Sequence, residues 1–373
     1  MKKVLFVFGT RPEAIKLAPV ILAMKKSSDF ETRVCLTSQH KTMLRQVMEV
    51  FDLTEDIDLD LMKENQSLEG LTSRVLLGIS EVLSTENPAL VVVQGDTTTV
   101  FAAALAAFYK KIPVAHIEAG LRSHNKYSPF PEEVNRVLTT HISTFHFTPT
   151  ALGKRNLMGE GIPEERIYVV GNTVLDALLS ILEKVREKSE YYRPKFNFPS
   201  TGEAIRRILV TGHRRENFGE GFLNICKAIR RIAETESVEI VYPVHLNPNV
   251  REPVYQLLGG MTNIHLIEPV SYDEMVYLMD SAYLILTDSG GIQEEAPTLD
   301  KPVLVMRSET ERPEGVDAGV LRIVGTNEDK IVDEVRELLH SEEQYREMSG
   351  KPNPYGDGQS APRIVQIFEL ILQ

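Results

Sequence analysis

The 373-residue chain has no apolar run approaching the roughly 20 residues that a membrane-spanning helix requires. Its opening, MKKVLFVFGTRPE, is apolar for only about five residues before Gly9, Thr10 and Arg11, so it reads as a first strand rather than a secretory leader. Cysteine is scarce. Cys35 and Cys226 form no CxxC or Cys/His pattern, which points to buried thiols in a reducing cytoplasm. HExxH and HxxxH are missing, so no metal site is expected. No GxGxxG follows a strand and no GxxxxGK[ST] occurs, which argues against a bound nicotinamide cofactor and against an ATPase. Positive charge is in deficit: 41 Lys and Arg against 53 Asp and Glu, a net −12, with no basic stripe for nucleic acid. A small anion stays possible if Arg, Lys and helix N-termini cluster locally.

Apolar runs alternate with longer amphipathic stretches from end to end. VLFVFG, TRVCLT, ALVVVQGD, IPVAHIE, STFHFTP and RIYVVG make one set; RRILVTG, VEIVYPV, NIHLIEP, AYLILTD, PVLVM and VLRIVG make another. Each is nearly continuously apolar, as strands of a parallel sheet covered on both faces are. The expected fold class is α/β, with two Rossmann-like, doubly wound domains facing across a cleft. The polar stretch 186–205 reads as the break between the halves. The expected domains are 1–172 plus 356–373, and 173–355, with the tail helix packing back on the first. Ligands of such sheets bind at the carboxyl ends of the strands.

The polar signals fall at those ends. Arg11 and Lys16 follow the first strand, where they either face a ligand or decorate a solvated helix start with Glu13 at the positive end of its dipole. Asp96 ends one strand and is either an N-cap or an active carboxylate. Glu118 ends the next strand, where a carboxylate must be solvated, paired or working. Glu132 follows Pro131 at a helix start. Each acid alone has a structural explanation; together on consecutive crossovers they suggest a catalytic cluster. In the second half, His213 shares a loop with Arg214 and Arg215, and His245 ends a neighbouring strand. The amides of Ser289, Gly290 and Gly291 open a helix that carries Glu294 and Glu295 in its first turns. A pyrophosphate held by those amides, with a ribose accepted by Glu295, reconciles donors and carboxylate. Arg307 and Arg312 follow as candidates to close that anion pocket, or as a solvated charged loop.

FGTRPEAIKLAPV, QGDTTT, HIEAGLR, YSPFPEEVNR, TGHRRENFGEG, YPVHLNP, LTDSGGIQEEAP, KPVLVMRSETERPE and NPYGDG, in this order, closely resemble the non-hydrolysing UDP-N-acetylglucosamine 2-epimerases. The resemblance runs nearly end to end. It implies the GT-B arrangement of nucleotide-sugar glycosyltransferases, a cytoplasmic homodimer, and no metal or redox cofactor. By the same resemblance, Asp96, Glu118, Glu132 and His213 fall on catalytic positions. Arg11, Lys16, Ser289, Gly291, Glu295 and Arg312, with His213 again, fall on UDP-binding ones. Arg214, His245 and Gly290 join the substrate-binding candidates from their own loops. Val270 and Met275 stand where enterobacterial-type members have Gln and Phe near the uracil, so mostly backbone and apolar base contacts are expected.

Epimerisation at C2 implies elimination of UDP to a 2-acetamidoglucal and re-addition, since C2 lies beside no carbonyl. Which carboxylate is the base is not legible. A glycosyltransferase, a hydrolysing epimerase and a UDP-sugar sensor of the same fold remain alternatives. Many bacterial members are also activated by their substrate at a second site. In this chain Gln39 and His245 match that site, but Thr42 replaces a Gln and Asn65 an Arg, with Lys41 or Lys63 nearby as substitutes. Losing the Arg removes a charge-assisted contact, so weak activation or none is expected.

Overall fold

The computed structural model describes residues 1–38, 41–61, 66–198 and 205–372. The chain forms two compact units, Met1–Leu179 with Tyr355–Gln373, and Ser180–Pro354. The division falls inside the helix Thr173–Glu187 rather than ahead of it.

The first unit is built on seven parallel strands: β1 (Lys2–Phe8), β2 (Phe30–Leu36), β3 (Ile57–Asp58), β4 (Leu90–Gln94), β5 (Val114–Ile117), β6 (Phe145–Thr148) and β7 (Ile167–Val169). Their order in the sheet is β3-β2-β1-β4-β5-β6-β7. β4 is buried along its whole length, and β1 from Val4 onward, because crossover helices cover both faces. β3 is absent from the expected strands: two residues, one of them an exposed Asp, carry no apolar signal.

The second unit carries six parallel strands: β8 (Arg206–Thr211), β9 (Val238–Pro243), β10 (Ile264–Ile267), β11 (Leu284–Thr287), β12 (Val303–Val305) and β13 (Leu321–Ile323). Their order is β10-β9-β8-β11-β12-β13. Each sheet therefore reverses its winding at one point, between β1 and β4 and between β8 and β11. Loops on the two sides of such a point splay apart and leave a crevice at the strand ends.

The stretch 186–205 is not a bare break. It contains the helix Ser189–Lys195, inside the second unit. Tyr192 and Phe196 stack on Tyr277 at centroid distances of 5.5 and 5.6 Å, and the Tyr192 hydroxyl donates to Asp273 at 2.6 Å. Two aromatics with no helical apolar period hold it in place, which is why the stretch reads as polar.

The final helix, Ser360–Ile371, belongs to the first unit. Its first turn has backbone N–H groups that need acceptors. Asp176 supplies them, accepting from Ser360 at 3.2 Å and Ala361 at 2.8 Å. Burial raises the Asp176 pKa while these donors pull it down. At the other end of the clasp, the Asn172 N–H donates to the Tyr355 carbonyl at 2.7 Å. Phe368 packs edge-on against Phe147 at 5.3 Å. Asp176→Ala is therefore expected to lower stability by about 0.5–2 kcal/mol, the usual worth of a helix cap, read as a lower thermal midpoint and earlier proteolysis near 356–372.

Candidate active site

At the end of β1 the chain turns through Gly9 and Thr10 into the helix Arg11–Lys25. The Glu13 carboxylate accepts from the Gly9 N–H at 2.9 Å, the Thr10 N–H at 2.7 Å and the Thr97 hydroxyl at 2.6 Å. Burial raises its pKa, and these donors oppose the rise. Glu13 is thus a fastener between the β1 and β4 loops. Arg11 opens the helix, half-buried, and Lys16 follows one turn later.

Asp96 is not the N-cap of the helix Thr98–Tyr109. Thr97 is, its side chain accepting from the Val100 N–H at 3.3 Å. The Asp96 carboxylate instead pairs with Arg136 at 2.5 Å, and its carbonyl accepts from the Asn135 amide at 3.0 Å. Both partners lie on the helix Glu132–Ile142, whose first residue is the candidate Glu132. Glu133 pairs with Arg136 at 3.2 Å and accepts from the Ser123 and His124 N–H groups at 3.1 and 2.9 Å. One helix therefore anchors Asp96, presents Glu132, and ties down the loop that follows Glu118.

Glu118 has φ +64°, in the left-handed region, which costs a non-glycine residue roughly 1–2 kcal/mol. Such strain persists where surrounding contacts over-determine it, as they do at functional sites. Here Lys16 pairs with Glu118 Oε1, the Gln94 amide donates to Oε2 at 2.5 Å, and the Asn172 amide reaches Oε1 at 3.3 Å. Lys16 is mostly buried rather than on the surface. Beneath these turns His116, fully buried, bonds the Gly95 carbonyl through Nε2 at 2.7 Å. Its neighbour across the ladder is His146. Burial pushes His116 down to about 4 and His146 to about 3, so both rings are neutral.

In the second unit the turn after β8 is held from β11. Asp288, fully buried, accepts from the N–H groups of His213 and Arg214 at 2.9 and 2.8 Å. The Tyr242 hydroxyl donates to the Gly212 carbonyl below at 2.9 Å. The His213 ring stacks on His245 with centroids 5.0 Å apart and stays partly exposed. Desolvation lowers the His213 pKa; Asp288, with a carboxylate oxygen 3.9 Å from Nδ1, pulls the other way. His245 Nδ1 accepts from the Asn247 N–H at 3.1 Å. With Nδ1 accepting, Nε2 is the ring's donor.

Ser289 precedes the short helix Gly290–Glu295. The Arg312 guanidinium lies against Gly290, where a Cβ would stand 3.0 Å from it. It pairs with Glu294 at 3.0 Å and Glu311 at 2.8 Å. The crowding of acids is thereby resolved. Glu294 points inward and neutralises Arg312, while Glu295, also buried, lies 3.4 Å from the Tyr272 hydroxyl. Thr310 donates to Gln293 at 2.6 Å and accepts from the Arg312 N–H at 3.1 Å, tying loop and helix together. Arg307 pairs with Glu216 at 2.5 Å. Glu13, Gln94, Arg136, Asn172 and Asp288 are not among the site candidates that the sequence marks, although all but Asn172 lie inside the family-like motifs. Among the described residues no group of His, Cys, Asp and Glu is arranged to hold a metal ion. Gln39, Asn65 and Lys63, and the side chains of Lys41 and Thr42, lie outside the described residues.

Two Rossmann-like parallel sheets, each with its polar groups at the carboxyl ends of the strands, make up a GT-B-like fold, the class that nucleotide-sugar enzymes share. Residues 22–369 match the family model described as UDP-N-acetylglucosamine 2-epimerase. The UDP-N-acetylglucosamine 2-epimerase of Salmonella typhimurium is 53% identical over 375 residues, covering 98% of each chain. The crystal structure of the Neisseria meningitidis UDP-GlcNAc 2-epimerase bound to UDP-GlcNAc superimposes with a TM-score of 0.93 at 49% identity, covering 100% of both chains. That of the Methanocaldococcus jannaschii enzyme with UDP-GlcNAc and UDP gives a TM-score of 0.84 at 40% identity, covering 99% of each. The chain belongs to the UDP-N-acetylglucosamine 2-epimerase family, a family of isomerases.

The two buried histidines set a pH dependence. As pH falls below about 6.5 the unfolded chain takes up protons that folded His116 and His146 refuse until about 4 and about 3. The unfolded state then binds more protons, so stability drops as pH drops. Glu13 and Asp176, with raised pKa values, act in the opposite sense. The parent chain should therefore lose more thermal stability between pH 6.5 and 5 than His146→Gln does, in calorimetry of both.

Proposed function

We propose that the chain interconverts UDP-N-acetylglucosamine and UDP-N-acetylmannosamine by elimination and re-addition. A carboxylate removes the C2 proton while the C1–O bond breaks and its electron pair leaves with UDP. The product of this step is a 2-acetamidoglucal. The UDP oxygen then adds back to C1 as a proton arrives at C2 from the opposite face. Asp96, Glu118 and Glu132 are the acid–base groups, with His213 assisting. Arg11, Lys16, Arg214, His245, Arg312 and the Ser289-Gly290-Gly291 amides stabilise the departing diphosphate, and Glu295 accepts from the ribose. Lys16 has three donors, so it can serve Glu118 and a phosphate oxygen together.

One observation carries this reading. Three acids sit on two crossovers next to the sheet's switch point, and one of them is held in a strained backbone conformation by several donors. A UDP-sugar sensor or a simple glycosyltransferase needs no such construction. We further propose a cytoplasmic homodimer without metal or redox cofactor, supplying activated N-acetylmannosamine for cell-surface polysaccharide. Exposed Leu77, Phe108, Tyr109, Val134 and Leu138, on three helices of the first unit of which the middle one packs against both others, give a second copy an apolar face to cover.

The deciding experiment is incubation with UDP-N-acetylglucosamine alone in D2O, followed by NMR. UDP-N-acetylmannosamine carrying deuterium at C2, formed in the presence of a chelator, is the expected result. Free sugar plus UDP as the main fate would make the enzyme a hydrolase, and no turnover would make it a sensor.

The two units should also separate by mutation. Glu118→Gln and Asp96→Asn should lower kcat by about 10²-fold or more, while Glu295→Gln should chiefly weaken UDP binding in calorimetric titration. The reverse pattern would exchange the roles of the two units.

A further inference from the structure

Glu118 receives more than its ion pair. Gln94 is the last residue of β4, buried, and paired in register with Ile117 on β5. Its amide therefore meets the side chain of the very next residue, donating to Glu118 Oε2 at 2.5 Å. Asn172, also buried, approaches from the loop after β7 and donates to Oε1 at 3.3 Å. Its amide is not free to turn over: its Oδ1 accepts from the Val174 N–H at 3.1 Å, which leaves the NH2 group facing the carboxylate. The Asn172 backbone is itself pinned to Tyr355 at 2.7 Å.

We propose that Gln94 and Asn172 are positioning residues for the reaction: a neutral amide cradle that fixes the Glu118 carboxylate and favours its ionised form. This rests on the reading of Glu118 as an acid–base group. The two amides suit the task because they donate without adding charge. The ion pair with Lys16 relies on a cation that the departing diphosphate also attracts. With Gln94 on one oxygen and Asn172 on the other, the carboxylate keeps its orientation while Lys16 answers to the phosphate. Hydrogen bonds to a carboxylate stabilise its charged form, so their loss must show in acid–base behaviour and not in stability alone.

The test compares Gln94→Met, Gln94→Glu and Asn172→Asp with the parent and with Glu118→Gln, by steady-state kinetics across pH and by thermal unfolding. Met keeps the volume and removes the donor; Glu and Asp keep the shape and set a second carboxylate beside the first. The expected result is a kcat lowered roughly 10-fold or more, from the lost hydrogen bond to a charged group, with KM nearly unchanged. One limb of the kcat profile should also move to higher pH, least in Gln94→Met and by about one unit or more where a carboxylate is introduced. Gln94 and Asn172 lie on different elements, so a variant that fails to fold at one position leaves the other to decide. Parent-like kcat and pH profiles in the folded variants, with Glu118→Gln inactive, would overturn the cradle while leaving the role of Glu118 standing. Parent-like activity in Glu118→Gln would remove the acid–base reading and the cradle with it.

Discussion

A buried backbone N–H must find an acceptor, and at the carboxyl edge of a parallel sheet no further strand is there to provide one. Both units meet this constraint with a carboxylate. In the first it is Glu13, reaching from the crossover helix to the Gly9 and Thr10 amides and across to Thr97. In the second it is Asp288, reaching from the neighbouring strand to the His213 and Arg214 amides. The fasteners come from different places but do the same thing: they hold the first turn of each sheet to the loop across the switch point. The positions of Arg11, Lys16, His213 and Arg214 all follow from them.

The same economy governs the cations. In a chain of net charge −12, three basic groups, two in the first unit and one in the second, already have anionic neighbours: Lys16 has Glu118, Arg136 has Asp96, and Arg312 has Glu294 and Glu311. An anionic ligand arriving at such groups exchanges partners instead of meeting bare charge. The exchange costs less than desolvating an unpaired ion, and it keeps these buried or half-buried cations oriented beforehand. Glu294 illustrates the point. Read as a sequence it looks like an obstacle to anion binding, whereas folded it holds the guanidinium against the helix start.

The apolar runs mark every long strand, because a strand covered on both faces must be apolar throughout. β3 and the helix Ser189–Lys195 escape notice, since one is two residues long and the other is secured by Tyr192 and Phe196 rather than by a periodic face. Candidate acids are visible from their places after buried strands; their partners are not. That Thr97 rather than Asp96 caps its helix, or that Arg136 lies within reach of Asp96 forty residues earlier in the chain, depends on which loops the sheet order brings together. In the sequence Glu13 is a dipole charge and Asp288 the end of a strand. Only the folded backbone shows which amides they serve.

The first unit is discontinuous in sequence, closed by the segment from Tyr355 onward through Asn172 and Asp176. During synthesis the intervening residues of the second unit leave the ribosome before that segment exists. The second unit can condense from an uninterrupted stretch, whereas the first must wait, nearly assembled, with the docking face for its last helix uncovered. The clasp thus imposes an order on biogenesis. The anchoring of Asn172, beside one of the proposed reactive acids, is among the last contacts to form, so a nascent chain stalled short of Tyr355 would carry its acids without their final support.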